Sequence, residues 1–335
     1  MTEPLVSVFI RVRDEAAALQ DVLRALAEQV IDAATEIVVL DNESEDDSAK
    51  VALAAGARVF SLPRQHFGYG RALNLGAALC RGEVIVLLSA HSVPQSATWL
   101  AELVDPIREG TATAAFCRQV PVRPVSRLEL RRFECFPASD ALLDRASFLT
   151  LCYAGRDPYE AAIFSNSACA IKRDIVKKLP FRDLPYAEDR CFAVDSLMAH
   201  GRIKYLSGPA VSYCRPATWR SAYRIGYRAQ VSKRLIRELA ATYTGRRYDS
   251  RRETLSRLIR CALVVPGAIF RVTLCAHEPR GTRRRAVGFV LKSTGSTVGL
   301  AKGTLLWRRH AESLSVDTAG HQSARQHCRE LTLGG

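Results

Sequence analysis

Short apolar runs alternate with amphipathic stretches along the first two thirds of the chain. Leu5–Val12 (LVSVFIRV) is β-branched and apolar, a first strand. After Asp14-Glu15, the residues Leu19, Val22, Leu23 and Leu26 recur at i, i+3, i+4 and i+7. That spacing predicts an amphipathic helix whose acidic first turn suits its dipole. Glu36–Leu40 (EIVVL) is a second strand, closed by the acidic run Asp41-Asn42-Glu43-Ser44 and on to Asp47. Ser48–Ala55 reads as a short helix and Arg58–Leu62 as a third strand. The Gly-rich turn Phe67-Gly68-Tyr69-Gly70 then opens a helix over Arg71–Cys80.

Glu83–Pro94 (EVIVLLSAHSVP) holds the sharpest change of character. Its continuous apolar run, Val84–Leu88, predicts a strand buried on both faces. Small polar residues follow at once, Ser89-Ala90-His91-Ser92. Ligands of open α/β sheets bind beyond the carboxyl ends of such strands, so Ser89 and His91 are candidate site residues. Further on, Trp99–Ile107 reads as a helix, Thr111–Val120 as a strand and Leu128–Phe148 as a mixed helical region. The small-residue stretch Ile163–Ile171 (IFSNSACAI) precedes a Lys-rich helix ending at Leu179. A Pro-bracketed loop then delivers Tyr186-Ala187-Glu188-Asp189-Arg190 to a helix over Cys191–His200. Strand–helix alternation at this spacing predicts an α/β fold with a mostly parallel, doubly wound sheet. No G-x-G-x-x-G follows the first strand and no Walker-type phosphate loop occurs, which argues against a dinucleotide enzyme and a P-loop NTPase.

Charge adds a division that hydropathy does not show. Residues 1–214 carry 24 Lys and Arg against 27 Asp and Glu, whereas residues 215–335 carry 24 against 7. The whole basic excess of the +14 chain lies in the last third, which favours an anionic partner surface. Pro216–Glu238 interleaves aromatics with Arg at helical spacing. Against a membrane, Trp219, Tyr223 and Tyr227 would sit at headgroup level with Arg220, Arg224 and Arg228 on lipid phosphates. Cys261–Phe270 and Ala286–Trp307 are too short or too interrupted to span a bilayer, so interfacial attachment is the expectation. His310–Gly335 is polar and reads as disordered. The ten cysteines are scattered without C-x-x-C pairs, and the N-terminus lacks a basic region followed by a long apolar run. Both point to a reducing, cytoplasmic setting and against a zinc site.

Four pieces in order, IRVRDE (Ile10–Glu15), VLDNES (Val39–Ser44), GYGRALNLG (Gly68–Gly76) and AEDR (Ala187–Arg190), resemble the family 2 glycosyltransferases of the GT-A fold. Within that family they look most like bacterial rhamnosyltransferase-like enzymes of surface polysaccharides. The resemblance implies a GT-A domain over residues 1–230, with a donor half to about 120 and an acceptor half beyond, then a basic helical membrane-associating region over 231–310 and a disordered tail over 311–335. It implies an inverting transfer of a sugar from a nucleotide-diphosphate donor to a glycan or polyprenyl-linked acceptor at the inner leaflet. Donor contacts fall to Arg11, Glu15, Asp41, Arg71, Ser89 and His91, the acceptor side to Asn166, and catalysis to Asp189 as base beside Glu188. Arg71 would meet the diphosphate at a helix N-terminus, whereas Asn74 would brace the loop.

One departure matters. Where the family has D-x-D, this chain has Ser89-Ala90-His91. Ser is a poor metal ligand and imidazole suits Mn²⁺ better than Mg²⁺. Two readings are open: a reduced Mn²⁺ or Mg²⁺ site using His91 and substrate oxygens, or metal-independent catalysis with His91 and Arg71 stabilising the leaving diphosphate. A degenerate domain that binds nucleotide sugar without transfer is a third possibility, and a basic nucleic-acid-binding protein a fourth. The last lacks any recognised motif, so no nucleic acid is expected.

Overall fold

The computed structural model describes residues 5–122, 136–184, 186–213, 219–246 and 326–332. Parallel strands β1 (Leu5–Val12), β2 (Ala34–Asp41), β3 (Arg58–Ser61) and β4 (Val84–Ser89) form one half of a sheet, joined through α1 (Ala16–Ala27), α2 (Ser48–Ala54) and α3 (Tyr69–Leu79). Next come β5 (Ser92–Pro94), α4 (Trp99–Arg108), β6 (Ala114–Pro121), β7 (Ala141–Leu143), α5 (Arg145–Tyr153) and α6 (Pro158–Ala161). Last are β8 (Ala168–Lys172), α7 (Arg173–Lys178), α8 (Glu188–Met198), β9 (Ile203–Tyr213), α9 (Trp219–Thr244) and β10 (Arg329–Leu331). The strand order is β10-β3-β2-β1-β4-β8-β6-β9-β5, with β7 added on β9. β8 runs antiparallel between β4 and β6, so the sheet is mixed but mostly parallel.

Alternation along the central strands builds two cores. Val84, Val86 and Leu88 of β4 pack with Val6, Val8 and Ile10 of β1 against Leu19 and Val22 of α1 and Trp99 and Leu103 of α4. Ile85 and Leu87 face the opposite way, with Phe9, toward α3, α5, α8 and α9. Each such side chain fully removed from water contributes about 1.5–3 kcal/mol. The expected strand buried on both faces is therefore β4, and it ends at Ser89 as expected. His91 lies in the turn beyond it, before β5 departs to pair with β9 at the far edge of the sheet.

Four expectations change. The first turn of α1 contains no acid; the Ala16 N–H is instead taken at 2.9 Å by the Asp46 carboxylate from the loop after β2. Leu128–Phe148 is not one helical region: residues 123–135 lie outside the described structure, and the rest holds β7 and the start of α5, which begins at an Asp144 capping box. The tail read as disordered contributes β10, antiparallel to β3 with Glu330 paired to Phe60. Edge pairing, the Glu330–Arg58 ion pair and a stack of His327 on His66 hold this polar strand, none of which is visible in a local pattern. Finally, α9 runs unbroken across residue 230, and Val231, Leu235, Ile236 and Leu239 are buried against the domain. Tyr227 packs on the same core and Arg228 lies over the Tyr69 ring. The segments over 247–310 expected at the membrane lie outside the described residues, among which no helix is long and apolar enough to cross a membrane.

The glycines of GYGRALNLG serve close approach. A Cβ on Gly70 would lie 2.2 Å from the Arg182 carbonyl oxygen, and one on Gly68 would meet the Asp183 carboxylate at 2.3 Å. Gly70→Ala must displace backbone, so it is expected to destabilise the protein by about 1–3 kcal/mol in urea unfolding. Gly208→Ala, whose Cβ meets nothing nearer than 3.6 Å, serves as the control with an unchanged midpoint.

Candidate active site

The carboxyl ends of β1, β2 and β4 meet in register. Arg11 lies between Leu40 and Ser89, and Val12 beside Asp41. The loops that follow are stitched together by the acidic run: Glu45 N–H donates to Asp14 at 2.7 Å, and Asp14 and Glu15 N–H groups donate to Ser44 and Ser48 hydroxyls. Asp41 is 4% exposed. Its Oδ2 accepts from Ser44 N–H at 3.1 Å, while its buried Oδ1 has no partner among the described residues. An unpaired buried carboxylate oxygen is costly, and a ligand N–H or O–H would satisfy it.

Glu15 and His91 form a couple, His91 Nδ1 to Glu15 Oε2 at 2.7 Å, with the Tyr213 ring edge-on at 4.9 Å. The carboxylate orients the imidazole, leaving Nε2 without a hydrogen bond among the described residues. Among those residues no three His, Cys, Asp or Glu side chains gather as a metal-holding group. The six described cysteines are free thiols, five of them buried.

A second cluster surrounds the carboxylate pair. Ser89 N–H donates to Ser167 O at 3.0 Å, which brings the Ser165–Asn166–Ser167 turn against the end of β4. Asn166 Nδ2 donates to Glu188 Oε1 at 2.7 Å. Asp189 accepts from Arg190 N–H at 2.8 Å and from Asn166 N–H at 3.4 Å. Arg11 Nη1 lies 4.0 Å from Glu188 and donates to Tyr69 O at 3.2 Å. Burial, followed by the neighbouring Asp189 charge, pushes Glu188 up to about 7. Burial also raises Asp189, opposed by the Arg190 charge, the two N–H donors and Arg11. Burial and the neighbouring charge thus raise both carboxyl groups, so the two titrate as a pair, with the backbone N–H donors and Arg190 favouring the charged form of Asp189. Both belong to the first turn of α8, where a negative charge is favoured.

Arg71 stands in the first turn of α3 as expected, but its Nε donates to Asp183 at 2.7 Å. Asn74 braces the loop as expected, donating to Phe181 O and accepting from Phe181 N–H, both at 2.8 Å. The GYGRALNLG segment is therefore the seat of the loop that delivers Glu188 and Asp189. Asp183, Tyr69 and Tyr213 went unread in the sequence. Asp183 stands in the Pro-bracketed loop just before Glu188, a sequence cue of position alone, and β9, which ends at Tyr213, has no periodic pattern to announce it.

The model of glycosyl transferase family 2 matches residues 7–179. The chain belongs to this family, and its domain is a GT-A glycosyltransferase fold. Glucosyl-3-phosphoglycerate synthase of Mycolicibacterium paratuberculosis is 32% identical over 111 residues, covering 31% of this chain and 34% of that protein. The protein of the same name from Mycobacterium tuberculosis is 30% identical over the same length. The match thus spans about a third of the curated relatives. Among solved structures, the M. tuberculosis synthase with Mn²⁺, uridine diphosphate and glucosyl-3-phosphoglycerate aligns with a TM-score of 0.53 at 20% identity, over 74% of this chain and 82% of that one. S. aureus TarS aligns with a TM-score of 0.51 at 16% identity, over 96% of this chain and 55% of that one. These likenesses establish the fold.

Glu188 binds its proton more tightly in the folded state than at its ordinary value of 4.5. Its contribution is therefore full below 4.5 and is lost as pH rises to about 7. Unfolding free energy is expected to fall over this window in the wild type. Glu188→Gln, measured by urea unfolding at several pH values, should flatten that fall.

Proposed function

We propose that the protein is an inverting glycosyltransferase that moves a sugar from a nucleoside-diphosphate donor to a hydroxyl of a glycan or lipid-linked saccharide, with Asp189 as general base. The observation that carries this reading is the Asp189 carboxylate, half-buried beside the buried Glu188 and held by two backbone N–H groups near the joined ends of β1 and β4. An inverting transfer needs one base to take the acceptor proton as the anomeric carbon is attacked opposite the leaving diphosphate. Asn166, which binds both carboxyl groups, positions them on the acceptor side.

Asp41 is assigned to the donor: its unpaired Oδ1 accepts from the nucleoside. Uridine is the first base to test, since the similar solved proteins are described with uridine diphosphate or its sugars. His91, oriented by Glu15, takes the diphosphate in place of D-x-D. The residues fit a divalent ion only with His91 Nε2 as the protein ligand and donor oxygens completing the shell, which suits Mn²⁺ better than Mg²⁺. Such an ion would supply Lewis-acid stabilisation of the leaving diphosphate. Arg71, paired with Asp183, is assigned to holding the catalytic loop and reaches the donor only if that pair opens. The +17 balance of residues 215–335 supports attachment to an anionic inner leaflet, where a polyprenyl-linked acceptor would be met.

Asp189→Asn is expected to lower transfer at least a hundredfold while nucleotide still raises the melting temperature. Full turnover by this variant would remove Asp189 from the role. Asp41→Ala should weaken UDP binding about tenfold, measured by calorimetry, by deleting a buried acceptor. A thermal-shift panel of UDP, dTDP, GDP and CMP, each with Mn²⁺, Mg²⁺ or chelator, identifies the donor class. Stabilisation lost in chelator and in His91→Ala supports the Mn²⁺ arrangement; stabilisation indifferent to metal supports the imidazole acting alone.

A further inference from the structure

The turn that presents the two carboxyl groups is built on an unfavourable backbone. Ala187, the residue before Glu188, has φ 62° and ψ 33°, the left-handed region that a Cβ disfavours. It is 5% exposed, and its carbonyl accepts the Cys191 N–H, the first hydrogen bond of α8. Such a conformation persists only where the surroundings over-determine it, and it tends to occur where a site needs it.

Helix α9 supplies that constraint. Ser232, 1% exposed, donates its Oγ–H to the Tyr186 carbonyl oxygen at 2.7 Å. That carbonyl belongs to the peptide whose nitrogen is Ala187 N, so holding it holds the axis about which φ of Ala187 turns. The helix itself cannot shift to follow the loop, because Val231, Leu235 and Ile236 on either side of Ser232 are at most 1% exposed. A second contact joins the same helix to the pair: Arg228 and Arg11 each lie 5.8 Å from the centre of the Tyr69 ring, and Arg11 also approaches Glu188.

We propose that Ser232 is a positioning residue of the transferase site, pinning the Tyr186–Ala187 peptide so that Ala187 keeps its left-handed turn and Glu188 and Asp189 stay against Asn166. This rests on the assignment of Asp189 above, but its test does not use transfer. The charged and titratable groups facing the pair are Arg11 of β1, Cys169 of β8, and Arg190 and Cys191 of α8. None of these is altered by substitution at Ser232.

The experiment uses the full chain and needs no ligand. Hydrogen exchange over residues 184–195 and unfolding free energy against pH are measured for wild type, Ser232→Ala, and Ser232→Ala combined with Ala187→Gly. Ser232→Ala is expected to raise exchange in that segment about five- to tenfold, the loss of one buried hydrogen bond, with β4 unchanged. It should also flatten the fall in stability between about pH 5 and pH 7, because a freed turn lets the carboxyl groups reach water. Ala187→Gly should restore both, since glycine adopts this turn without support. Unchanged exchange, or stability lowered equally at every pH with no rescue by glycine, would show an ordinary structural hydrogen bond and overturn the proposal. A result in favour together with an active Asp189→Asn variant would leave the positioning intact and remove only the assignment of the base.

Discussion

Two adjacent carboxyl groups on one helical turn, Glu188 buried and Asp189 half-buried, are the constraint on which this part of the structure depends. Taking even one carboxylate out of water costs several kcal/mol unless it is compensated. A pair of like charges raises that cost further. The fold answers from three directions: Asn166 from the turn before β8, Arg11 from β1, and the N-terminal amides of α8 itself. Each comes from a different segment of the chain. The pair therefore holds together only when β1, β8 and α8 are all in place.

The loop before α8 shows how the same constraint reaches further out. Arg71 with Asp183, Asn74 with the Phe181 backbone, and Arg182 with Asp195 hold residues 181–183 to both α3 and α8. The Gly68 and Gly70 contacts allow the loop to approach α3 this closely. A segment expected to meet a diphosphate thus supports the loop before α8 from below. Its Arg is ion-paired, and its Asn makes a two-point backbone clamp.

What could be read from the sequence follows from how local each signal is. The four parallel strands β1 to β4, and α1 with its four buried apolar residues, are legible because their period and burial coincide. The ends of β1, β2 and β4 placed Arg11, Asp41 and Ser89 correctly for the same reason. The place of His91 just beyond the end of β4 was legible, but not its partner. The resemblance implies a donor contact for Glu15, and only the tertiary fold brings it to 2.7 Å from the imidazole. Ser232, β9 and β10 gave no local cue: a buried serine in a basic helix, a strand containing Gly208 and Pro209, and a polar three-residue edge are defined by what they pack against.

That last edge bears on how the chain reaches its fold. β10 joins residues 329–331 to residues 59–61, a contact between segments separated by most of the sequence. Loop closure of this length makes it a late event, since its entropy must be met before the pairing can form. On a ribosome, β3 would emerge and join its neighbours while the strand that covers its outer side is still unmade. During that interval the sheet presents an open row of backbone donors and acceptors, a template for pairing with other chains. The short strand near the end of the sequence thus also closes a surface that a nascent or truncated form would leave sticky.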